Sequence, residues 1–225
     1  MNKQEVFVIT ADVIRSKSYD DIESIIKEKL DNINSQFSDT LYTKFTCLKG
    51  DEFQAIVEKI HHDKLLKIIR NLKHQMGKHK MRIGIGYGTI NRNGNKHGEF
   101  GSWEFNGEAF YKARSVMEKL QIKKNNSIQM STMFNVFEDP IKNEMINLLY
   151  FNVDRALAKW KEENWRMTNY LENNMTHEEI MGIMNKESKN NKERVSYTKK
   201  INRSDWYLIQ EIEKTITILL KEELY

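Results

Sequence analysis

The 225-residue chain has one cysteine, one proline and no strong excess of either charge. A single cysteine, Cys47, excludes an internal disulfide framework and a cysteine-built zinc ribbon. Cys47 has no catalytic partner in the sequence and is read as a buried strand residue. The six histidines show no HExxH or other strong metal spacing. Thirty-six Lys plus Arg against 32 Asp plus Glu leave a formal net charge of +4, too even a balance to name a partner. The apolar stretch from Val6 to Ala11 is too short to span a membrane and lacks a signal-peptide pattern. The expectation is a cytoplasmic protein without a membrane partner. A hydrophobic share of 39% with 10% aromatics is enough to bury a core and excludes a disordered polymer.

Glycine is scarce in most of the chain. Nine of the ten lie between Gly50 and Gly107, and the other is Gly182. Because glycine marks turns and close packing, this imbalance predicts two parts: an α+β domain over 1–135 and an all-helical module over 136–225. Residues 5–12 are β-branched and aromatic and predict a buried strand. Helical spacing follows over 19–36. Residues 42–48 and 53–58 predict a hairpin with its tip at Gly50-Asp51. A helix over 62–76, a strand over 80–89, a polar loop over 90–106, a helix over 107–119 and a last strand at 127–131 complete the pattern. The core βαββαβ order is the ferredoxin-like plan: an antiparallel sheet with helices on one face and the other face open to a ligand or partner. From residue 141 the pattern is helical, with one long segment to about Glu172, a helix after Thr176 and a final helix from Ser204.

Two carboxylates occupy positions where chemistry is possible. Asp12 ends the first strand and Asp51 sits at the hairpin tip. In a βαββ sheet these elements are neighbours, so both can point at one spot. Paired carboxylates there suit Mg²⁺ or Mn²⁺, which takes one or two carboxylates plus substrate phosphates. Glu52 adds a third oxygen donor or a base. Acids at strand ends and hairpin tips also serve as solvated or capping groups.

The segments Ala11–Ser16, Phe45–Phe53, Arg82–Gly86 and Gly107–Arg114 resemble the SatD family of bacterial proteins, in the same order along residues 5–120. More distantly they resemble class III nucleotidyl cyclases and GGDEF diguanylate cyclases, which share a palm-like βαββαβ core. The resemblance implies that Asp12 and Asp51 hold two metal ions, with the Val13 carbonyl assisting, and that Glu52 matches the acid of the GGDEF signature. It implies a nucleoside triphosphate or cyclic nucleotide as ligand and a homodimer as the assembly. Arg15, Lys17 and Lys49 lie next to the two aspartates and would meet phosphate. Tyr111, Lys112 and Arg114 fall on the helix that carries phosphate contacts in that family. The sequence departs from the pattern at three places. Lys49 replaces the first glycine of GGDEF, Cys47 stands where cyclases read the base with lysine, and Tyr111 stands where they carry asparagine.

Gly84, Gly86 and Gly88 alternate along one strand and share a face. They permit either close helix packing or room for a nucleotide or second subunit. In the tail, Thr176 and Glu179 form a capping-box pattern, and a basic stretch follows. A helix from about Lys192 would present Arg194, Tyr197, Lys199, Lys200 and Arg203, resembling the second helix of a DNA-binding helix-turn-helix. Its link lacks the usual glycine, so a solvated basic connector is the alternative. Three functions remain open: an intracellular regulator with a metal-dependent nucleotide-binding domain and a DNA-binding tail, a two-metal nucleotidyl cyclase or nucleotidyltransferase, and an inert dimerisation module.

Overall fold

A computed structural model of the chain describes residues 4–92, 101–122, 129–187 and 197–224. The chain forms two compact units, Met1–Phe151 with Ile216–Tyr225, and Asn152–Thr215. The glycine pattern draws its line at 135/136; the contacts draw theirs at 151/152 and 215/216.

In the first unit β1 (Gln4–Val13) is the central strand. Helix α1 (Ile22–Gln36), the hairpin β2 (Leu41–Lys49) and β3 (Glu52–Glu58), α2 (Leu65–Met76) and β4 (Met81–Arg92) follow in order. The strand order β2-β3-β1-β4, with β1 antiparallel to both β3 and β4, is the ferredoxin-like α+β plan. The hairpin turn falls where the sequence places it: Lys49 pairs Glu52 across the turn, and Gly50 has φ +60°, a left-handed conformation that glycine adopts without a Cβ penalty. Beyond β4, the short β5 (Phe105–Gly107) pairs with Ile90–Arg92. Helix α3 (Glu108–Gln121) and strand β6 (Thr132–Asn135) follow. β6 runs parallel to β4. The strand expected at 127–131 is therefore β6, further along the chain. There Ile83 N–H donates to Ser131 O at 2.8 Å, and the Thr-Met-Phe sequence suits a strand. Residues 93–100 of the expected loop and 123–128 lie outside the described residues.

Side chains alternate across β1. Phe7, Ile9, Ala11 and Val13 share one face, and Val6, Val8, Thr10 and Asp12 share the other; all eight are buried. A strand buried on both faces needs cover on both. One cover is the pair α1 and α2, which lie side by side through Lys29 Nζ to Gln75 O at 2.7 Å. They bury Ile26, Leu30 and Ile33 of α1 and Leu65, Ile69 and Leu72 of α2. The other cover is α3, whose Ala109 and Ala113 join Val6, Val8 and Ile56 in one apolar cluster. The second face is thus not open, contrary to the sequence expectation. The glycine row of β4 is the reason. A Cβ on Gly86 would lie 2.2 Å from Ala109 O and 2.3 Å from Ala113 N, so bare backbone is what lets α3 lie against the sheet.

The two outer strands are tied to helices by asparagine. Phe45 N–H of β2 donates to Asn34 Oδ1 at 2.6 Å and Asn34 Nδ2 donates back to Phe45 O at 3.0 Å. Phe134 N–H of β6 donates to Asn147 Oδ1 at 2.7 Å and Asn147 Nδ2 donates to Phe134 O at 3.0 Å. Asn147 comes from α4 (Pro140–Leu157). Both asparagines are buried, and each completes the hydrogen bonding of one strand residue.

The expected long helix to Glu172 is two helices, α4 and α5 (Glu162–Glu172). The break lies at 158–161. There Trp160 Nε1 donates to Ser204 O at 2.7 Å and the Trp160 ring packs edge-on against Trp165 and beside Trp206. The Lys161 N–H then donates to Asn164 Oδ1 at 3.0 Å and starts α5. Helix α6 (His177–Glu187) begins with the predicted capping box: Glu179 N–H donates to Thr176 Oγ1 at 3.2 Å, and Thr176 N–H to Glu179 Oε2 at 2.7 Å. Helices α7 (Tyr197–Arg203) and α8 (Trp206–Leu224) complete the chain. They meet at a two-residue turn in which Asp205 has φ 58°. The final helix therefore starts at Trp206 rather than Ser204. No helix among the described residues is long and apolar enough to cross a membrane.

One buried group under the β1–α1 connection predicts a pH response. His79 is 6% exposed, its Nδ1 has no hydrogen-bond partner among the described residues, and Tyr19 packs edge-on to its ring. Burial, helped by the ammonium groups of Lys78 and Lys29, holds the imidazole below its usual 6.5. The folded state therefore favours neutral His79, and the unfolded chain binds more protons. This contribution is complete above 6.5 and is lost as pH falls below it. The lowered carboxyl pKa values of Glu5 and Glu108 act below 4.5. Thermal melts between about pH 7 and about pH 5 are expected to show a falling Tm that His79→Phe flattens. An unchanged slope in that variant would remove His79 as the cause.

Candidate functional site

The end of the sheet where β1 finishes collects the three acids that the sequence singles out, together with Arg15, Lys17 and Lys49. Asp12 is the direct partner of Glu52 on β3 and of Arg82 on β4, so all three share a face. Asp51 follows in the hairpin turn. Val13 closes the strand, and Ile14 N–H donates to Lys80 O at 2.8 Å. Arg15 then turns the chain with φ 58° into a 3-10 turn at Ser16–Ser18. Ser18 Oγ holds that turn by donating to Arg15 O at 2.7 Å. Arg15 and Lys17 are exposed there, and Lys49 is exposed at the hairpin. Glu23, in the first turn of α1, leans toward the same hairpin: a Cβ on Gly50 would lie 3.8 Å from its Oε1.

Asp12 is 8% exposed. Arg82 Nε donates to its Oδ1 at 2.8 Å and Gln121 Nε2, at the C-terminal end of α3, donates to Oδ2 at 3.4 Å. Asp51 and Glu52 are half-buried and make no ion pair among the described residues. Among the described residues no three His, Cys, Asp or Glu side chains are grouped so as to hold a metal ion. Mg²⁺ or Mn²⁺ arriving at Asp12 would meet these two donors first, so Asp12, Val13 and Asp51 do not form an open metal site as they stand.

The phosphate residues expected on α3 are not brought to this end. Lys112 lies against Gly86. Gly86 pairs with Val8, four residues from Asp12, or about 13 Å along the strand. Its ammonium is bonded to Glu108 and Glu138. Burial opposes that charge, but the two carboxylates outweigh it and raise the lysine pKa. Tyr111 is 71% exposed, and the Arg114 side chain is 78% exposed and faces Glu118 at 3.8 Å. Cys47 is exposed, not buried, because it stands near the hairpin end of an outer strand. Crowding by neighbouring atoms and the Glu23 carboxylate push its thiol pKa up. Two site residues were not assigned from sequence. Arg82 lies within a quoted motif, but only the β1–β4 register shows its partner; Gln121 has no sequence signal.

A separate groove of about 500 Å³ lies between α3, β6 and α4, lined by Val116, Met130, Met133 and Phe137 among others. Its Asn143 and Asn147 are spent on the backbone of Phe134, Val136 and Phe137.

In the second unit the expected DNA-facing residues separate. Lys200 is paired with Glu163 of α5. Lys199 and Arg203, one helical turn apart on α7, are exposed. Arg194 and the Tyr197 side chain lie outside the described residues.

Among solved structures, a bacterial light-regulated adenylyl cyclase aligns with 60% of this chain and 77% of its own, at 13% identity and TM-score 0.43. The catalytic core of a rhodopsin-guanylyl cyclase with converted specificity, in complex with ATPalphaS, aligns with 52% and 72% at 17% identity and TM-score 0.38. The active GGEEF domain of a diguanylate cyclase from Vibrio cholerae aligns with 60% and 85% at 12% identity and TM-score 0.39. These likenesses are distant; strand order and register define the fold. No curated protein matches the chain. The sequence profile of the SatD family matches residues 6–219, nearly the whole length, and the chain belongs to the SatD family.

Proposed function

We propose that the first unit is a nucleotide-binding regulatory domain and that the second contacts DNA. The observation that carries the first half is the β1–β3 register, which sets Asp12 opposite Glu52 and beside the Asp51 turn, with Arg15, Lys17 and Lys49 exposed at that end. Cations without carboxylate partners bind phosphate oxygens by charge-assisted hydrogen bonds. Carboxylates without cation partners accept from ribose hydroxyls and base amino groups. A nucleotide offers both sets of groups. Asp51 and Glu52 are the acids available to it, since Asp12 is already bonded to Arg82 and Gln121. A two-metal cyclase or nucleotidyltransferase is the second reading, and it requires Asp12 to leave Arg82. Lys199 and Arg203 are the cations of α7 that would meet DNA phosphates; Lys200 is spent within its own unit.

One set of measurements tests both halves. Thermal shift is read with each nucleoside triphosphate and cyclic nucleotide in Mg²⁺, in Mn²⁺ and in chelator, while turnover is followed. A Tm rise of about 4 °C for at least one nucleotide, lost on Arg15→Ala/Lys17→Ala, is expected. Silence with every nucleotide overturns the nucleotide half. Turnover abolished by Asp12→Asn would favour the enzyme. Binding to duplex DNA is expected to weaken with salt and with Lys199→Ala/Arg203→Ala; salt-insensitive silence overturns the DNA half.

A further inference from the structure

We propose that Arg82 is the resident cation of the Asp12 site and competes with divalent metal ions for that carboxylate, so that the site rests closed to metal. The proposal rests on reading this end of the sheet as the ligand-binding end. Both oxygens that an ion would use carry donors, Arg82 Nε on Oδ1 at 2.8 Å and Gln121 Nε2 on Oδ2 at 3.4 Å. The pair is largely covered, with the Asp12 side chain 11% and the Arg82 side chain 23% exposed. In such a setting a guanidinium–carboxylate pair is screened less than on open surface. An arriving ion has to displace the arginine before it coordinates.

The backbone holds the two residues to each other. Asp12 and Arg82 are direct partners in the β1–β4 ladder, Val13 and Met81 extend it, and the Ile14 to Lys80 bond closes it. Separation therefore requires the Arg82 side chain to change rotamer, a smaller change than slipping a strand. Displacement of that side chain is the way to clear the carboxylate. The consequence is a division of the acids. Asp12 is neutralised by Arg82, while Glu52, its partner on the other side, and Asp51 make no ion pair among the described residues. Swinging Arg82 away leaves the Asp12 carboxylate beside its ladder partner Glu52.

The test is Mn²⁺ binding to the full chain, read by electron paramagnetic resonance of the free ion with no nucleotide present. Arg82→Gln is expected to lower the Mn²⁺ Kd by about tenfold or more, and adding Asp12→Asn is expected to erase that gain. An unchanged Kd in Arg82→Gln, or a gain that survives Asp12→Asn, overturns the proposal. If Arg82→Gln does not fold, Arg82→Lys replaces it. Its flexible point charge lacks the fixed fork of arginine, so a smaller gain in the same direction is expected, and no gain overturns the proposal. The two readings fail separately. Nucleotide binding without a Mn²⁺ gain keeps the nucleotide function and removes this competition. A Mn²⁺ gain without nucleotide binding does the reverse.

Discussion

Gly86→Ala is expected to cost about 3 kcal/mol or more of folding stability and to lower the midpoint of urea unfolding accordingly. The single added methyl has nowhere to go. At that position a Cβ would come 2.2 Å from Ala109 O and 2.3 Å from Ala113 N, both backbone atoms of α3, and backbone cannot rotate aside as a side chain would. Relief therefore means lifting α3 from the sheet along the contacts of Ala109, Ala113, Val6 and Val8, which admits voids into a close-packed layer. Glycine-to-alanine substitution elsewhere often stabilises by restricting the unfolded chain, so the sign of the effect is itself the check. A neutral or stabilising Gly86→Ala would mean that α3 does not lie against β4.

Replacing Asn34 or Asn147 by leucine is expected to cost about 3 kcal/mol each, measured by the same unfolding experiment. Leucine keeps roughly the volume but leaves one buried strand N–H and one buried C=O without partners. The penalty is that of burying an unsatisfied polar group twice over, not of losing a surface hydrogen bond. Asn34 serves Phe45 on β2 and Asn147 serves Phe134 on β6, at opposite sides of the sheet. They share no partner, so the double variant is expected to show nearly the sum. A loss well under 1 kcal/mol in either single variant would indicate that water replaces the amide there.

What the sequence made legible was local. The hairpin tip at Gly50-Asp51 is written in turn chemistry, and the capping box at Thr176 in the types of two residues three apart. The glycine row of β4 was visible as a shared face, but a period of two says nothing about what lies on that face; α3 filled a surface that the pattern left open. The site behaved in the same way. Asp12 was identifiable as an acid ending a strand. Its bond to Arg82 spans seventy positions and depends on register between two strands that no local pattern encodes. The break after α4 was hidden for a related reason. It is set by Trp160 reaching Ser204 O, a tertiary contact that overrides the helical preference of its own segment. Lys112 and Lys200 were counted as ligand-facing cations. Each instead meets acids of its own unit, which composition alone cannot foresee.

The two buried asparagines also bear on how molecules of this protein can meet. A strand at the rim of a sheet offers bare amide and carbonyl groups, and a passing chain can add itself there. In this protein the rim at Phe45 and at Phe134 is already answered by a side-chain amide that mimics a neighbouring strand. An incoming strand would first have to pull that amide out and leave it unbonded inside the fold. Growth of the sheet from one molecule into the next is blocked at those two points.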